Sequence, residues 1–273
     1  MIKIESLQYD VIFKKAFRNV DLFTGLVKDF AGVQLEIEEV VNDKVFFPAV
    51  GNVEIKFDLF AEDKKNRLIV EAQHASRSDN FDRFLYYHCT AMVETIPSSK
   101  NYHFPITVIT LVFFTNRRSP SPDNNILVQD FEMKNFKDGQ VVNDVYGRRH
   151  RIIFVFTNDP LGDLDIPEPC REWIEAIDDS LDEQADELDY HNPLIKRLFQ
   201  VISKDNTTPA ERARMKEEYN QQLVEMEAFK KGQKQAQSEK LREVARNFKA
   251  LGTATDEQIA GATGLTLEEV QAL

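Results

Sequence analysis

Cysteine is nearly absent. The 273 residues include two, Cys89 and Cys170, too few for a disulfide framework or a four-thiolate zinc site; a reducing, cytoplasmic setting is expected. Long apolar runs are also missing. The longest, Ile106 to Thr115, falls far short of the roughly 20 residues a bilayer-spanning helix needs. It predicts a buried strand, and no membrane partner. The opening MIKIESLQYD has no apolar stretch of about 7–15 residues like that of a secretory leader, so no signal peptide is expected. There is no glycine-rich phosphate loop, no Gly-x-Ser-x-Gly elbow and no kinase-type motif. His74, His88, His103, His150 and His191 lack zinc-type spacing and read as structural.

Positive charge is in deficit, with 34 Lys+Arg against 46 Asp+Glu and a net charge of −12. The deficit is local. Residues 158–190 hold 13 acidic residues and one basic residue, and the rest of the chain balances at 33 of each. The segment reads as a solvated linker or helix face, or as a shield that keeps nucleic acid off one side. The composition, 42% hydrophobic and 29% charged, excludes a disordered or collagen-like chain.

Periodicity supplies the elements. Residues 9–31 have helical spacing, with Gly32 as the stop. Residues 36–62 are extended, and 67–74 form the next strand across a polar turn. Residues 78–96 read as a helix opened by Ser78 and Asp79, and 106–115 as a strand. A Pro/Ser-rich loop (117–125) and strands at 126–133 and 151–157 follow. Strands and helices in this mixed order predict an α/β core. After Pro169 the chain turns helical over 171–200. A long charged helix is expected from Pro209 to about 250, tolerating Gly232. The expected organisation is a core at 1–168, an acidic helical connector at 169–208, and a helix with a hairpin tail at 209–273.

The tail carries two capping boxes, Thr255 with Gln258 and Thr266 with Glu269, around a Thr263-Gly264-Leu265 turn. It resembles a helix-turn-helix. Yet residues 253–273 contain four acidic side chains and no Lys or Arg, whereas a DNA reader needs cations for phosphate. A packing or dimerisation hairpin is therefore favoured. Leu241, Val244, Ala245, Phe248 and Leu251 form an apolar stripe suited to an intrachain or homodimer seam.

The chemistry concentrates in FDLFAEDKKNRLIVEAQH, residues 57–74. If Lys64-Lys65 is the tip of a two-residue hairpin, paired positions sum to 129. Asp58 then faces Glu71, and Lys56 faces Gln73. Strand alternation puts Asp58, Glu71 and Gln73 on one face, with Phe57, Leu59, Leu68, Val70 and Ala72 on the other. Opposed carboxylates repel. A hard cation such as Mg²⁺, with Mn²⁺ as a substitute, offsets this using one or two carboxylates plus water and phosphate oxygens, and it activates water for attack on phosphorus. The bland alternative is an exposed hairpin with a charged polar face.

In this light the chain resembles the recombination-promoting nuclease and transposase family of the PD-(D/E)XK nuclease superfamily. The matching pieces, in order, are Asp10-x-x-Phe13-Lys14-x-x-Phe17, then Asp58, then Glu71-Ala72-Gln73, then FDRFLYYHCT with Arg83, Tyr86 and Tyr87. The charged helix and ALG…IA…TGLTLEEV tail match in style. The resemblance implies a restriction-endonuclease-like mixed sheet flanked by helices, with a C-terminal helical extension, and Mg²⁺-dependent DNA cleavage. It implies Asp58 and Glu71 as metal ligands, helped by the Ala72 carbonyl, with Gln73 at the position of the superfamily's lysine. Gln73 brings no charge, so Lys56 or Lys14 is expected to supply it. Asp10 reads as an outer metal ligand or as an ordinary ion-pair partner of Lys14. Arg83 and Tyr87 either hold the scissile phosphate or lock their helix to the sheet. Without a cationic base-reading module, an endonuclease of low sequence specificity is expected. A non-catalytic scaffold assembling through its tail is the competing expectation. A homodimer serves both, since a double-strand break needs two cutting centres.

Overall fold

A computed structural model describes residues 1–46, 55–74, 80–96, 100–116, 119–121, 124–142, 148–158, 161, 165–252 and 254–273. The expected caps Ser78 and Asp79, and parts of the 36–62 and 117–125 segments, lie outside these residues.

A short strand β1 (Ile2–Lys3) precedes two helices, α1 (Asp10–Phe17) and α2 (Val20–Ala31). The periodicity had suggested one helix over 9–31. Asn19 breaks it, because its side-chain oxygen accepts from the Asp21 and Leu22 amides. Such a cap is worth about 1 kcal/mol. Gly32 ends α2 at φ 65°, as a left-handed C-cap should. Then come β2 (Val41–Phe46), β3 (Ile55–Glu62), β4 (Asn66–Gln73), α3 (Asn80–Val93), β5 (Thr107–Phe114), β6 (Ile126–Asp130) and β7 (Arg151–Phe156). They build a six-stranded mixed sheet in the order β2-β3-β4-β5-β7-β6. The β4–β5 and β5–β7 pairs are parallel and the other three antiparallel. The α/β, restriction-endonuclease-like expectation holds.

Strand alternation sends side chains to two cores. On one side, Leu68, Val70, Leu111, Phe113 and Val155 pack with α1 and α2. On the other, Ile69, Val108, Val112, Phe114 and Phe154 meet α3 through Phe84, Tyr87 and Ala91. α3 is the crossover between the parallel strands β4 and β5.

Helices within residues 169–208 pack against the α1/α2 core. Helix α4 (Glu168–Leu181) buries Trp173, Ile174 and Ile177, and α5 (Pro193–Val201) buries Ile195, Leu198 and Phe199, all in the α1/α2 core. Between them lie strand β8 (Gln184–Ala185), which pairs with β1, and a turn of 3₁₀ helix. The helical stretch expected over 171–200 is thus two helices; Asn192 caps the second by accepting from Leu194 N, with Pro193 in the first turn. The Trp173 indole donates to Asp29 at 2.8 Å. On α4, Glu168, Glu175 and Asp178 face solvent, while Glu172 is buried.

The chain divides into two compact units, Met1–Met215 and Lys216–Leu273. The division falls inside α6 (Pro209–Leu251). In the second unit, α7 (Asp256–Thr263) and α8 (Leu267–Gln271) each start with a complete capping box, and Gly264 turns between them at φ 73°. Ala245 of α6 packs with Ile259, Leu265 and Val270. Within the expected stripe, Leu241 and Ala245 serve this intrachain core, while Phe248 and Leu251 remain exposed. Among the described residues, no helix is long and apolar enough to cross a membrane.

Candidate functional site

The β3–β4 turn sets the site. Asp63 Oδ1 accepts from Lys65 N and Asn66 N, each at 2.7 Å, and Asp63 N donates to the Asn66 carbonyl. Lys64-Lys65 is therefore the tip. Every pair from Leu59↔Val70 to Glu62↔Arg67 sums to 129, the register such a turn dictates. One further step sets Asp58 opposite Glu71. There the carboxylates replace main-chain acceptors: Asp58 N donates to Glu71 Oε1 and Ala72 N to Asp58 Oδ2, both at 3.2 Å.

The alternation slips at the same level. Phe57 packs with Ile69 and Tyr87 on the α3 side, but Leu59 packs on the α1/α2 side. The expectation that Phe57 and Leu59 share a face is corrected: β3 changes phase at Asp58. Strand β2 changes phase with it. One register runs from Val41↔Phe60 to Phe46↔Ile55, and it sets Asp43 opposite Asp58. Asp43 has φ 55°, in the left-handed region. Paired irregularities keep the register while re-aiming the acids. Asp43, Asp58 and Glu71 thus form a row across three adjacent strands.

Lys14 of α1 reaches this row. Its Nζ lies 2.7 Å from Asp43 Oδ1, 2.8 Å from Asp10 and 3.5 Å from Asp58 Oδ1. Burial would lower the Lys14 pKa, but the field of Asp58 and the bonds to Asp10 and Asp43 raise it instead. Asp43 is shifted below the carboxylate range: burial opposes this, and the bonds from Lys14 and Lys56 prevail. Asp58 moves up, because burial outweighs the pull of Lys14. Glu71, 4% exposed, moves well up, first through burial and then through the charge of Asp58. These two carboxylates are under-compensated.

Gln73 is buried on the α3 side, where its amide oxygen accepts from Arg83 Nη2. The Arg83 guanidinium lies 4.7 Å from the Phe84 ring centroid and 5.8 Å from that of Tyr87, and its charge acts on Glu71. Tyr87 packs edge-on against Phe57 at 5.8 Å. Lys56, more than half exposed, turns to Asp43 at 2.9 Å, so Lys14 is the lysine at Asp58. The structure therefore gathers Asp10, Lys14, Asp58, Glu71, Ala72, Gln73 and Arg83. The residue missed by the sequence reading is Asp43. Its signal was an aspartate in mid-strand, in VNDKVF, where aspartate is depleted.

Other candidates have ordinary partners. His74 Nδ1 meets Thr115 Oγ1 at 2.7 Å. Of the consecutive basic residues Arg148, Arg149, His150 and Arg151, Arg148 binds the Phe104 carbonyl, His150 is buried and Arg151 binds the Ala31 carbonyl. The run also lies at the wrong end of the sheet. Arg151 pairs with Ile109 near the start of β5, whereas Glu71 and Gln73 pair with Val112 and Phe114 toward its end.

Among the described residues, no group of three or more His, Cys, Asp or Glu side chains is arranged as a metal cage. The donors at hand are two under-compensated carboxylates without thiolate or free imidazole. That set fits a hard divalent cation that keeps most of its waters and does not fit a soft one.

A family model described as PD-(D/E)XK nuclease family transposase matches residues 8–229. No curated protein and no solved structure matches the chain. With most of its length covered, the chain belongs to the PD-(D/E)XK nuclease family transposases.

Proposed function

We propose that this family member is an Mg²⁺-dependent endodeoxyribonuclease, a hydrolase of low sequence specificity whose cuts promote recombination. The observation that carries the reading is the facing pair of half-buried Asp58 and buried Glu71, both carboxyls pushed upward first by desolvation. In this reading Asp58, Glu71 and the Ala72 carbonyl would hold Mg²⁺, or Mn²⁺ in its place. Such an ion, when bound, lowers the pKa of a water and polarises the phosphodiester. The side chains do the rest. Lys14 supplies the positive charge that Gln73 lacks, from 3.5 Å away from Asp58. Asp10 fixes the Lys14 ammonium at 2.8 Å. Gln73, held by Arg83, offers its amide to the attacking water or a phosphate oxygen. Arg83 places a planar cation suited to phosphate beside Glu71, with Tyr87 buttressing it. A double-strand break would require two such centres, hence a homodimer on DNA; the cytoplasm is the proposed setting.

The test is plasmid nicking with and without Mg²⁺ or Mn²⁺, against Asp58→Ala and Glu71→Ala. Metal-dependent nicking lost in both folded variants supports the reading. Equal activity in all three proteins points to a contaminant and sinks it. One observation favours a second reading: Lys14 already gives the acidic row an internal cation. A non-catalytic scaffold, assembling through its helical tail, would show no metal-dependent cleavage and no divalent-ion affinity.

A further inference from the structure

We propose that Asp43 is a positioning residue of the acidic centre. It anchors the Lys14 ammonium alongside Asp58 and so leaves the Asp58 oxygens available to a divalent cation. The inference rests on the nuclease reading and adds to it a residue outside the matched motif pieces.

Three observations converge. First, by register Asp43 sits opposite Asp58 as Asp58 sits opposite Glu71, so it belongs to the same transverse row. Second, Lys14 Nζ is 2.7 Å from Asp43 but 3.5 Å from Asp58, so the nearer acid holds the cation off the farther one. Third, Asp43 takes a left-handed conformation, φ 55°, inside a strand. β-strands neither need nor favour that geometry, and such outliers persist where the surroundings over-determine them. Here the surroundings are two ammonium groups, Lys14 at 2.7 Å and Lys56 at 2.9 Å. One carboxylate oxygen, Oδ1, serves both.

The physical consequence is a competition. A buried ammonium must have a carboxylate partner. With Asp43 neutral, Lys14 keeps Asp10 and closes on Asp58, the remaining acid within 4 Å. An Asp58 fully paired with Lys14 is a poorer ligand for a divalent ion. Asp43 thus tunes the centre through Lys14 without touching the ion itself.

The test measures Mn²⁺ affinity of the full chain by titration calorimetry. The proteins are the parent, Asp43→Asn, Lys14→Met and the double variant. Asparagine tolerates positive φ, and methionine keeps the apolar stem of lysine, so each change suits its site. Asp43→Gly, free at φ 55°, repeats the measurement if Asp43→Asn fails to fold. Asp43→Asn is expected to weaken Mn²⁺ binding about 10-fold or more, the usual scale for supporting residues of metal sites. Lys14→Met is expected to bind at least as tightly as the parent. The double variant should match Lys14→Met, because Asp43 has nothing left to position. Parent-like affinity in Asp43→Asn overturns the inference; if affinity still falls in Asp58→Asn, the nuclease reading survives. A double variant weaker than Lys14→Met makes Asp43 a ligand and overturns the positioning role. A parent that binds no Mn²⁺ overturns both.

Discussion

Replacing Glu71 with Gln is expected to stabilise the metal-free protein. Glu71 is 4% exposed, and its carboxyl is held well above the usual range, by burial first and the neighbouring Asp58 second. Arg83 pulls the other way without prevailing. For a carboxylate with a raised folded pKa, the folded state prefers the proton. Below the unfolded value, near 4.5, there is no penalty. The penalty grows as pH rises toward the folded value and is constant above it. Each unit of difference is worth about 1.4 kcal/mol. In a cooperative unit of this size, each kcal/mol moves Tm by about 2–4 °C. Glutamine keeps an oxygen to accept from Asp58 N but carries no charge. The Glu71→Gln advantage, read as ΔTm in EDTA, should be near zero at pH 4.5 and several degrees at pH 8. Mg²⁺ should raise the Tm of the parent more than that of the variant. A variant less stable at pH 8, or a ΔTm that does not change with pH, would refute the reasoning. Either result would mean that Arg83 and other partners fully compensate the charge, and then Glu71 has no need of a metal.

Acid should destabilise the sheet through His88 and His150. Burial depresses their pKa values to about 3 and about 4, from 6.5. The unfolded chain takes these protons first, so stability falls as pH drops from 6.5 toward 4, by about 1.4 kcal/mol per pH unit for each group. Urea midpoints between pH 7 and 4.5, measured in the Glu71→Gln background, check this; a His88→Gln variant should lose part of the slope. Ile259→Ala removes a side chain that is 1% exposed in the small core of the second unit. A loss of about 2–4 kcal/mol is expected there. Hydrogen exchange should speed up in α7 and α8 and stay unchanged in β4 and β5.

Much of this was readable because local signals sufficed. The Asp63-Lys64-Lys65-Asn66 turn fixes a two-residue hairpin, and the hairpin fixes the 129 register. The tail's capping boxes and Gly264 form as their residue types dictate. The misses share a cause. Asn19 looks like any helix-surface asparagine until its oxygen is seen to cap two amides. The change of phase at Asp58 is invisible to a period-2 pattern, because Phe57 and Leu59 are both apolar and fit either face. Asp43 enters the centre through the β2–β3 pairing and its contact with Lys14, neither of which shows in a stretch read as one extended segment over residues 36–62.

The centre also suggests why position 73 tolerates glutamine. Its side chain packs beneath Arg83, which already donates to it and already bears on Glu71. A lysine there would put a second cation against a half-buried guanidinium, and one of the two would lack an acceptor. Arg83 from α3 and Lys14 from α1 instead deliver one positive charge to each side of the Asp58–Glu71 pair. Four acids, Asp10, Asp43, Asp58 and Glu71, then face three cations, Lys14, Lys56 and Arg83. With all of them ionised, the centre carries an imbalance of a single negative charge. A divalent ion entering beside Asp58 would reverse that imbalance and place net positive charge at the proposed phosphodiester site. Metal and substrate should therefore bind cooperatively, the metal-loaded protein holding DNA more tightly than the metal-free one.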